Sequence, residues 1–505
     1  MSAVVERTGR EEHSAEAEEA KFLWPPIVFA VLAVWVLPLF TSLELDETGV
    51  WWVVKDGLRQ AIQRAHIWPL GQSILYDSIL TLVRAIAGDS DFAMRLPSAL
   101  TMIAALYLLY RLGRRLIGPL GAMFACLVFV TMREVVYVAS TMRPYALVPF
   151  FTIGAVLVLL YWLESGKWKY AAAYVVLSAL AVHANYFAAL MFPVHAVLVF
   201  VRIRDRSTRV RIPQFAVAWG AVLALLAPLI PFCFELRARR GAYSYLPAPG
   251  LEEFLGGLVP GLFAGAIAVA ILLFMALRKP LFLQSLRSGS YGWFLAIWAF
   301  LPAASLFAVS ELTSIKIFAP RYYIASAPAL ALLAGALLRS LGPRSFRLAA
   351  AAAIVVTAVI VFDANEHTMR GAMDWRAAAN AVRDHVGQEQ TPILAVTGFH
   401  EGTTLKAALD ATISDAVFAP YLRYPFGGRL VRVPVGMDGE TERYLEKIVT
   451  ESLAQKREFF VVGLSGADPF VSFLSGRCAS MGFTARMYGY YGGVMVTLFQ
   501  RGNST

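Results

Sequence analysis

Long apolar runs alternate with short polar connections through residues 23–363 of the chain. Eleven runs approach the roughly 20 residues that carry a helix across a bilayer. They lie at 23–42, 96–113, 118–138, 145–163, 170–184, 186–201, 214–234, 258–277, 290–310, 322–339 and 347–363. The polar connections are not equivalent. Arg111, Arg114 and Arg115 follow the second run, Lys167 and Lys169 the fourth, and "RIRDRSTRVR" the sixth; Arg278, Lys279 and Arg287 follow the eighth, and Arg339, Arg344 and Arg347 the tenth. Basic residues in every second connection place those connections in the cytoplasm. The N-terminus is then cytoplasmic, and the loop after the first run, the 139–145 turn, the 235–257 and 311–321 loops and everything beyond 363 face outward.

The first outer loop, 43–95, has a helical pattern of its own. In "VWWVVKDGLRQAIQRA", Val50, Val54, Leu58, Ile62 and Ala65 recur at helical spacing, opposite Lys55, Asp56, Arg59, Gln60, Gln63 and Arg64. This predicts an interfacial helix over 50–65, with Trp51 and Trp52 at headgroup level. "LGQSILYDSILTLVRAIAG" sets Ser73, Asp77, Thr81 and Arg84 along one stripe and predicts a second such helix over 70–88. Residues 364–505 return to ordinary polar content. There "MDWRAAANAVRDHV" predicts a helix, "TPILAVTGF" and "REFFVVGL" strands, "PFVSFLSGRCASM" a helix and "YYGGVMVTLFQ" a Gly-linked strand pair, which together make a small α/β domain. The expected organisation is a disordered, Glu-rich cytoplasmic tail over 1–22, a membrane domain over 23–363 and an extracytoplasmic α/β domain over 364–505.

Composition agrees with this pattern. The chain is 58% hydrophobic and only 16% charged, with mean hydropathy +0.60, where soluble domains carry about a quarter charged residues. The net charge of +10 is dispersed among the connections, so it sets topology and gives no nucleic-acid surface. Three cysteines, two of them in apolar runs, imply no disulfide framework. No Gly-rich nucleotide loop occurs, and the inward connections leave no room for a cytoplasmic nucleotide-binding domain. Any chemistry therefore belongs to the outer face, where a lipid-carried substrate has access from within the bilayer.

Candidate groups cluster at that face. Asp46 and Glu47 in "LDET" sit where the chain leaves the membrane; Asp46 reads either as the cap of the following helix or as a general base. Arg143 and Arg321 stand at outer ends of spans, where charge bias disfavours arginine, so each either snorkels or binds an anionic phosphate. Lys316 adds to that field, as do Arg239 and Arg240. Tyr145 and Tyr322 suit the interfacial aromatic belt. His66, His183 and Asp77 are candidates for substrate contact or for holding a divalent cation.

The run of "LDET", "AHIWPL", "SDFAMRLPSAL", "YRLGRRLIGPLGA", "STMRPYAL" and "HANYFAAL", followed by "FAPRYYIASAPALALLAGALL" and "DWRAAANAV", resembles the GT-C class of lipid-linked-sugar glycosyltransferases. The similar branch is the bacterial one related to protein O-mannosyltransferases and the lipid A aminoarabinose transferase (glycosyltransferase family 39/83-like). The resemblance implies a GT-C fold, a polyprenyl-phosphate sugar donor, a hydroxyl acceptor in the cell envelope and transfer at the outer face of the plasma (inner) membrane. It strengthens the catalytic reading of Asp46, with Glu47 assisting; with such a donor, Arg143, Arg321 and Lys316, together with Tyr145 and Tyr322, are the expected donor-phosphate residues. Two departures from that pattern stand out. The first loop reads His66-Ile67-Trp68-Pro69 where the branch has a His-Pro-Pro or Lys-Pro element, and Thr141 takes a place where it often has a carboxylate. A multi-span transporter or flippase is the other reading, but no internal repeat supports it.

Overall fold

The computed structural model describes residues 16, 18–67, 73–238, 247–258, 265, 271, 282–283, 291–364, 373–386 and 390–502. The chain forms two compact units, one of residues 1–39, 73–76 and 94–365, the other of residues 40–72, 77–93 and 366–505. The first outer loop thus groups with the C-terminal region.

The first unit is helical. Among the described residues, seven helices are long and apolar enough to cross a membrane: Glu18–Phe40, Asp91–Leu116, Pro144–Ser165, Tyr186–Arg204, Ile212–Phe234, Gly292–Leu312 and Arg344–Val361. The 118–138 run is not one straight span. Gly118–Thr131 and Arg133–Ser140 are bent by 68°, and Met132 between them is extended at φ −67°, ψ 129°. The 170–184 run forms the 17-residue helix Trp168–Ala184, and the 322–339 run forms a shorter apolar helix ending at Ser340. The expected 258–277 span lies almost wholly outside the described residues.

Small residues bring the central helices together. A Cβ on Gly335 would lie 2.4 Å from the Gly121 carbonyl and 2.6 Å from the Ala125 nitrogen. The Ala327–Ser340 and Gly118–Thr131 helices therefore meet backbone to backbone, the close approach that small residues permit where lipid gives no hydrophobic drive. Prolines open several spans, at positions 144, 213 and 328, where the missing N–H has no intrahelical partner to lose. Gly166, at φ 67°, ends the Leu147–Ser165 helix in the left-handed conformation.

The Glu-rich tail differs from expectation at its end. Residues 1–15 and 17 lie outside the described residues, but Glu16 and 18–21 are helical. The Glu19 carboxylate accepts from Arg347 Nε at 2.7 Å and Nη2 at 2.5 Å, and Glu16 accepts from Arg339 Nε at 2.9 Å. Acids that read as solvated charge are ordered because two arginines of the same unit face them.

The second unit is α/β. Its five strands are β1 (Pro392–Val396), β2 (Arg429–Val433), β3 (Glu458–Gly463), β4 (Phe483–Tyr491) and β5 (Val494–Arg501). They run in the order β2-β1-β3-β5-β4, with β1 parallel to β2 and β3, and β5 antiparallel to β3 and β4. Helices Trp375–Val386, Gly439–Ile448 and Asp468–Ala479 pack on this sheet. β1 is buried at every position, which fits a short apolar run covered on both faces. Phe459 and Phe499 stack at 4.6 Å inside the core. The strand β2 and the helix Gly439–Ile448 were not evident in the sequence.

The expected helix over 50–65 is two helices, Leu45–Val54 and Leu58–Ile67, broken at Gly57 with φ 94°. Trp51 and Trp52 are not at a headgroup surface; they are 8% and 5% exposed. Trp51 Nε1 donates to Asp89 at 3.1 Å, and the Arg64 guanidinium lies 4.6 Å from the Trp52 ring. The second expected helix runs from Ile74 to Ala87.

Asp91 ties this loop to the sheet domain. Its carboxylate accepts from Arg423 Nη2 at 2.6 Å and from the Tyr424 hydroxyl at 2.6 Å, and pairs with Arg376. Arg376 also donates toward the Phe40 and Thr41 carbonyls, and the Tyr424 oxygen accepts from the Leu43 N–H at 2.8 Å. The Asp91 side chain is 6% exposed and that of Arg423 12%. Removing one member of such a pair leaves a buried charge, at a cost of about 3–5 kcal/mol. Asp91→Ala is therefore expected to accelerate amide exchange across the Leu45–Val54 helix strongly, and Tyr424→Phe, which loses one hydrogen bond of about 1 kcal/mol, only slightly. Equal exchange in both variants would show that Asp91 does not hold the loop.

Candidate functional site

Two short turns in the first unit build the clearest candidate. Pro144–Ala146 and Pro320–Tyr322 are single 3₁₀ turns, each near the start of a membrane helix. Each carries an Arg, a Pro and a Tyr within three residues, and the proline fixes φ so that the turn enters the helix without a lost donor. The Arg143 guanidinium lies 5.5 Å from the Tyr145 ring and the Arg321 guanidinium 5.1 Å from the Tyr322 ring. The two tyrosine rings are 6.2 Å apart. Arginines far apart in sequence are thus joined through one aromatic pair, with the positive charge of each over a ring face. Phe187 meets the far side of Tyr322 at 4.9 Å, and the 3₁₀ segment Ile324–Ser326 that follows is fixed by Trp298 Nε1 donating to the Ala325 carbonyl at 2.7 Å.

Arg143 is 6% exposed and Tyr145 likewise 6%. Both side chains are thus enclosed by residues of their own unit. Lys316 takes a different place. Its Nζ donates to the Ser310 carbonyl at 2.5 Å and the Thr313 carbonyl at 3.1 Å, closing the C-terminal end of the Gly292–Leu312 helix. Arg239 and Arg240 lie outside the described residues.

In the second unit the helix after "TSLE" begins at Leu45, with Glu44 at the N-cap. Asp46 is therefore not the cap; it stands in the first turn, partly exposed. Glu47 is 1% exposed and its Oε2 accepts the Glu44 N–H at 2.7 Å. The acidic pair is split by this geometry: Glu47 braces the helix start, and Asp46 remains at the edge. The Leu45 side chain lies 3.1 Å from where a Cβ on Gly398 would stand, so the helix start also rests on the loop after β1.

His183 Nε2 contacts the Leu225 carbonyl at 3.1 Å, and the His183 carbonyl accepts from Ser73 Oγ at 2.8 Å. His66 is exposed on the Leu58–Ile67 helix, and Asp77 is 2% exposed on the Ile74–Ala87 helix. Among the described residues, no three His, Cys, Asp or Glu side chains form a group that could hold a metal ion.

Sequence reasoning missed Asp91 and its partners Arg376, Arg423 and Tyr424. Arg423 keeps its charge despite burial, because the hydrogen bond and attraction of Asp91 outweigh the desolvation that would lower its pKa. Burial, reinforced by the Asp91 carboxylate, pushes the Tyr424 phenol well up, so it stays protonated and donates. These residues line a cleft of about 470 Å³ with Phe40, Phe92 and Arg383.

A family model described as dolichyl-phosphate-mannose-protein mannosyltransferase matches residues 72–232. Two crystal structures of ArnT from Cupriavidus metallidurans are similar over the whole chain. The apo form superposes with a TM-score of 0.51 and the form bound to undecaprenyl phosphate with 0.52; each is 12% identical and covers 94% of this chain and 97% of that one. Comparison with the curated proteins found no match. The chain is a multi-pass membrane protein with the GT-C glycosyltransferase fold and a small C-terminal sheet domain.

A bidentate charge-assisted contact to phosphate is worth about 1.5–3 kcal/mol. If the arginine pair holds such a group, Arg143→Ala and Arg321→Ala are each expected to lower turnover with a lipid-phosphate sugar donor by roughly tenfold to over a hundredfold. Lysine keeps the charge without the planar fork, so Arg321→Lys should fall between wild type and alanine. Wild-type turnover in both alanine variants would remove the pair from the site.

Proposed function

We propose that this protein is a membrane glycosyltransferase that moves a sugar from a polyprenyl-phosphate carrier to a hydroxyl acceptor at the outer face of the plasma membrane. The observation that carries the reading is the convergence of Arg143 and Arg321 on the Tyr145–Tyr322 pair within a GT-C fold. The family-model match, which includes Arg143 and Tyr145, and a fold shared with a protein crystallised with undecaprenyl phosphate support the same donor class.

In this reading the two guanidinium groups bind the phosphate of the donor, with the tyrosine hydroxyls as further donors to its oxygens. The acceptor oxygen attacks the anomeric carbon as the bond from that carbon to the phosphate oxygen breaks. The lipid phosphate leaves with the bonding electrons, and the arginines neutralise the charge it gains. Asp46 receives the proton of the attacking hydroxyl. Glu47 serves by holding the helix start, and so Asp46, in place. A phosphate leaving group of this kind needs no strong general acid, and one direct displacement inverts the anomeric centre, as in inverting glycosidases. The acceptor is an envelope glycan, lipid or protein.

Asparagine keeps the shape of Asp46 without a proton acceptor. Because Glu44 is the cap, Asp46→Asn should leave the helix in place while sugar transfer falls by roughly 10²–10⁴. Transfer is measured with purified protein and a lipid-linked donor, alongside melting temperature. Near-wild-type transfer in a folded Asp46→Asn variant would end the assignment of the base.

Orientation is tested separately. With the native cysteines removed, Gln60→Cys and Glu442→Cys should react with an impermeant thiol reagent from outside intact cells, and Ser207→Cys only after permeabilisation. Labelling of Ser207→Cys in intact cells would reverse the topology, and the outer-face assignment with it.

A further inference from the structure

The basic end of the Asp91–Leu116 helix carries a second cleft, about 500 Å³ in volume, lined by Tyr107, Tyr110, Arg111, Arg114, Arg115 and Tyr161. Each arginine lies over a tyrosine ring: Arg111 at 5.8 Å from Tyr107, Arg114 at 5.7 Å from Tyr110 and Arg115 at 4.7 Å from Tyr161. Arg115 pairs with Glu164, which also meets Arg202 at 3.5 Å. Among the described residues no carboxylate pairs with Arg111 or Arg114, so the cleft keeps an excess of positive charge.

Its depth in the membrane follows from helix geometry. At 1.5 Å per residue, 26 residues span about 39 Å, some 9 Å more than the hydrocarbon core. The basic residues lie in the last turns of the helix, and long guanidinium side chains near the end of a span reach the level of lipid phosphates. Along the same helix Leu100, Ile103 and Tyr107 are 56%, 41% and 56% exposed. Their spacing of three and four residues continues to Arg111 and Arg114, so one face passes from exposed apolar side chains to guanidinium groups with no carboxylate partner among the described residues, Arg111 Nη1 donating to the Tyr107 hydroxyl oxygen at 2.9 Å. Trp24 borders the cleft, 6.0 Å from Tyr110. An apolar track ending in arginines and aromatic rings matches a molecule with a long hydrocarbon chain and an anionic phosphate head.

We infer that this cleft is a binding site for an anionic glycerophospholipid. The acyl chain lies along Leu100 and Ile103, and the phosphodiester receives hydrogen bonds from Arg111 and Arg114. A soluble phosphate or nucleotide has no use for the apolar track, and a zwitterionic lipid gains little from the uncompensated charge. The site does not depend on the glycosyltransferase reading, and its test needs no transfer assay.

Purified protein in mixed phosphatidylglycerol and phosphatidylcholine nanodiscs is examined by native mass spectrometry for retained lipid. Wild type is expected to retain phosphatidylglycerol. Removing two arginines near an anionic headgroup should weaken retention about thirtyfold in R111Q/R114Q, and R111K/R114K should restore most of it. Melting temperature of the double variant in detergent confirms that these exposed residues leave the fold intact; should it unfold, R114Q alone, expected to lose about fivefold, is read instead. Equal retention of phosphatidylcholine, unchanged retention in the glutamine variants, displacement by millimolar inorganic phosphate, or preferential retention of added undecaprenyl phosphate would each overturn the assignment.

Discussion

The Asp91 carboxylate is the constraint on which the second unit depends. It accepts from Arg423 and Tyr424 and pairs with Arg376, so one buried acid joins the loop after the first span to two separate segments of the sheet domain. The partners do not stop there. Arg376 reaches the Phe40 and Thr41 carbonyls, its own N–H meets Ser42 Oγ at 3.2 Å, and the Tyr424 oxygen takes the Leu43 N–H. The strand-like stretch leading into "LDET" thus has its backbone groups satisfied by the C-terminal region. These contacts hold the segment that leads into the Leu45–Val54 helix. That gives the C-terminal domain a physical role in holding this stretch.

Much of the helical architecture was legible because the bilayer imposes it. A span needs a long apolar run whatever its neighbours, so the runs at 23–42, 145–163, 214–234 and 290–310 mark helices directly. The runs that misled were those whose ends depend on tertiary contact. The 118–138 run breaks at the extended Met132, and Gly57 breaks the amphipathic helix of the first loop, which hydrophobic periodicity alone does not show. In the sheet domain, β1 and β3 announce themselves as apolar runs. β2 reads as "RLVRV", a short strand at the sheet edge with arginines at two of its five positions, and resembles a polar loop.

The candidate site divides along the same line. Arg143 and Arg321 were conspicuous because the alternation of basic connections disfavours arginine at those ends of their spans, and local Arg-Pro-Tyr and Pro-Arg-Tyr turns explain how each is presented. Asp91 gave no such signal. Its arginine partners lie 285 and 332 residues away in sequence, and an Asp ahead of a helix looks like any cap. Burial of its carboxylate is a property of the folded unit alone.

The same reasoning separates the acids of "LELDET". Glu44, Asp46 and Glu47 look interchangeable as written, but a helix beginning at Leu45 gives them different surroundings. Glu44 takes the cap position outside the helix. Glu47, three residues on, turns back to the Glu44 N–H and is buried by doing so, the reciprocal geometry that a glutamate at N3 offers. Asp46, one position earlier in the first turn, stays partly exposed. A helix start that moved by one residue would exchange these roles and bury the wrong acid. The position of the cap, itself fixed through Ser42 and Leu43 by Arg376 and Tyr424, therefore decides which carboxylate stays partly exposed as a candidate base. In this way the Asp91 cluster acts on the proposed chemistry without touching a substrate.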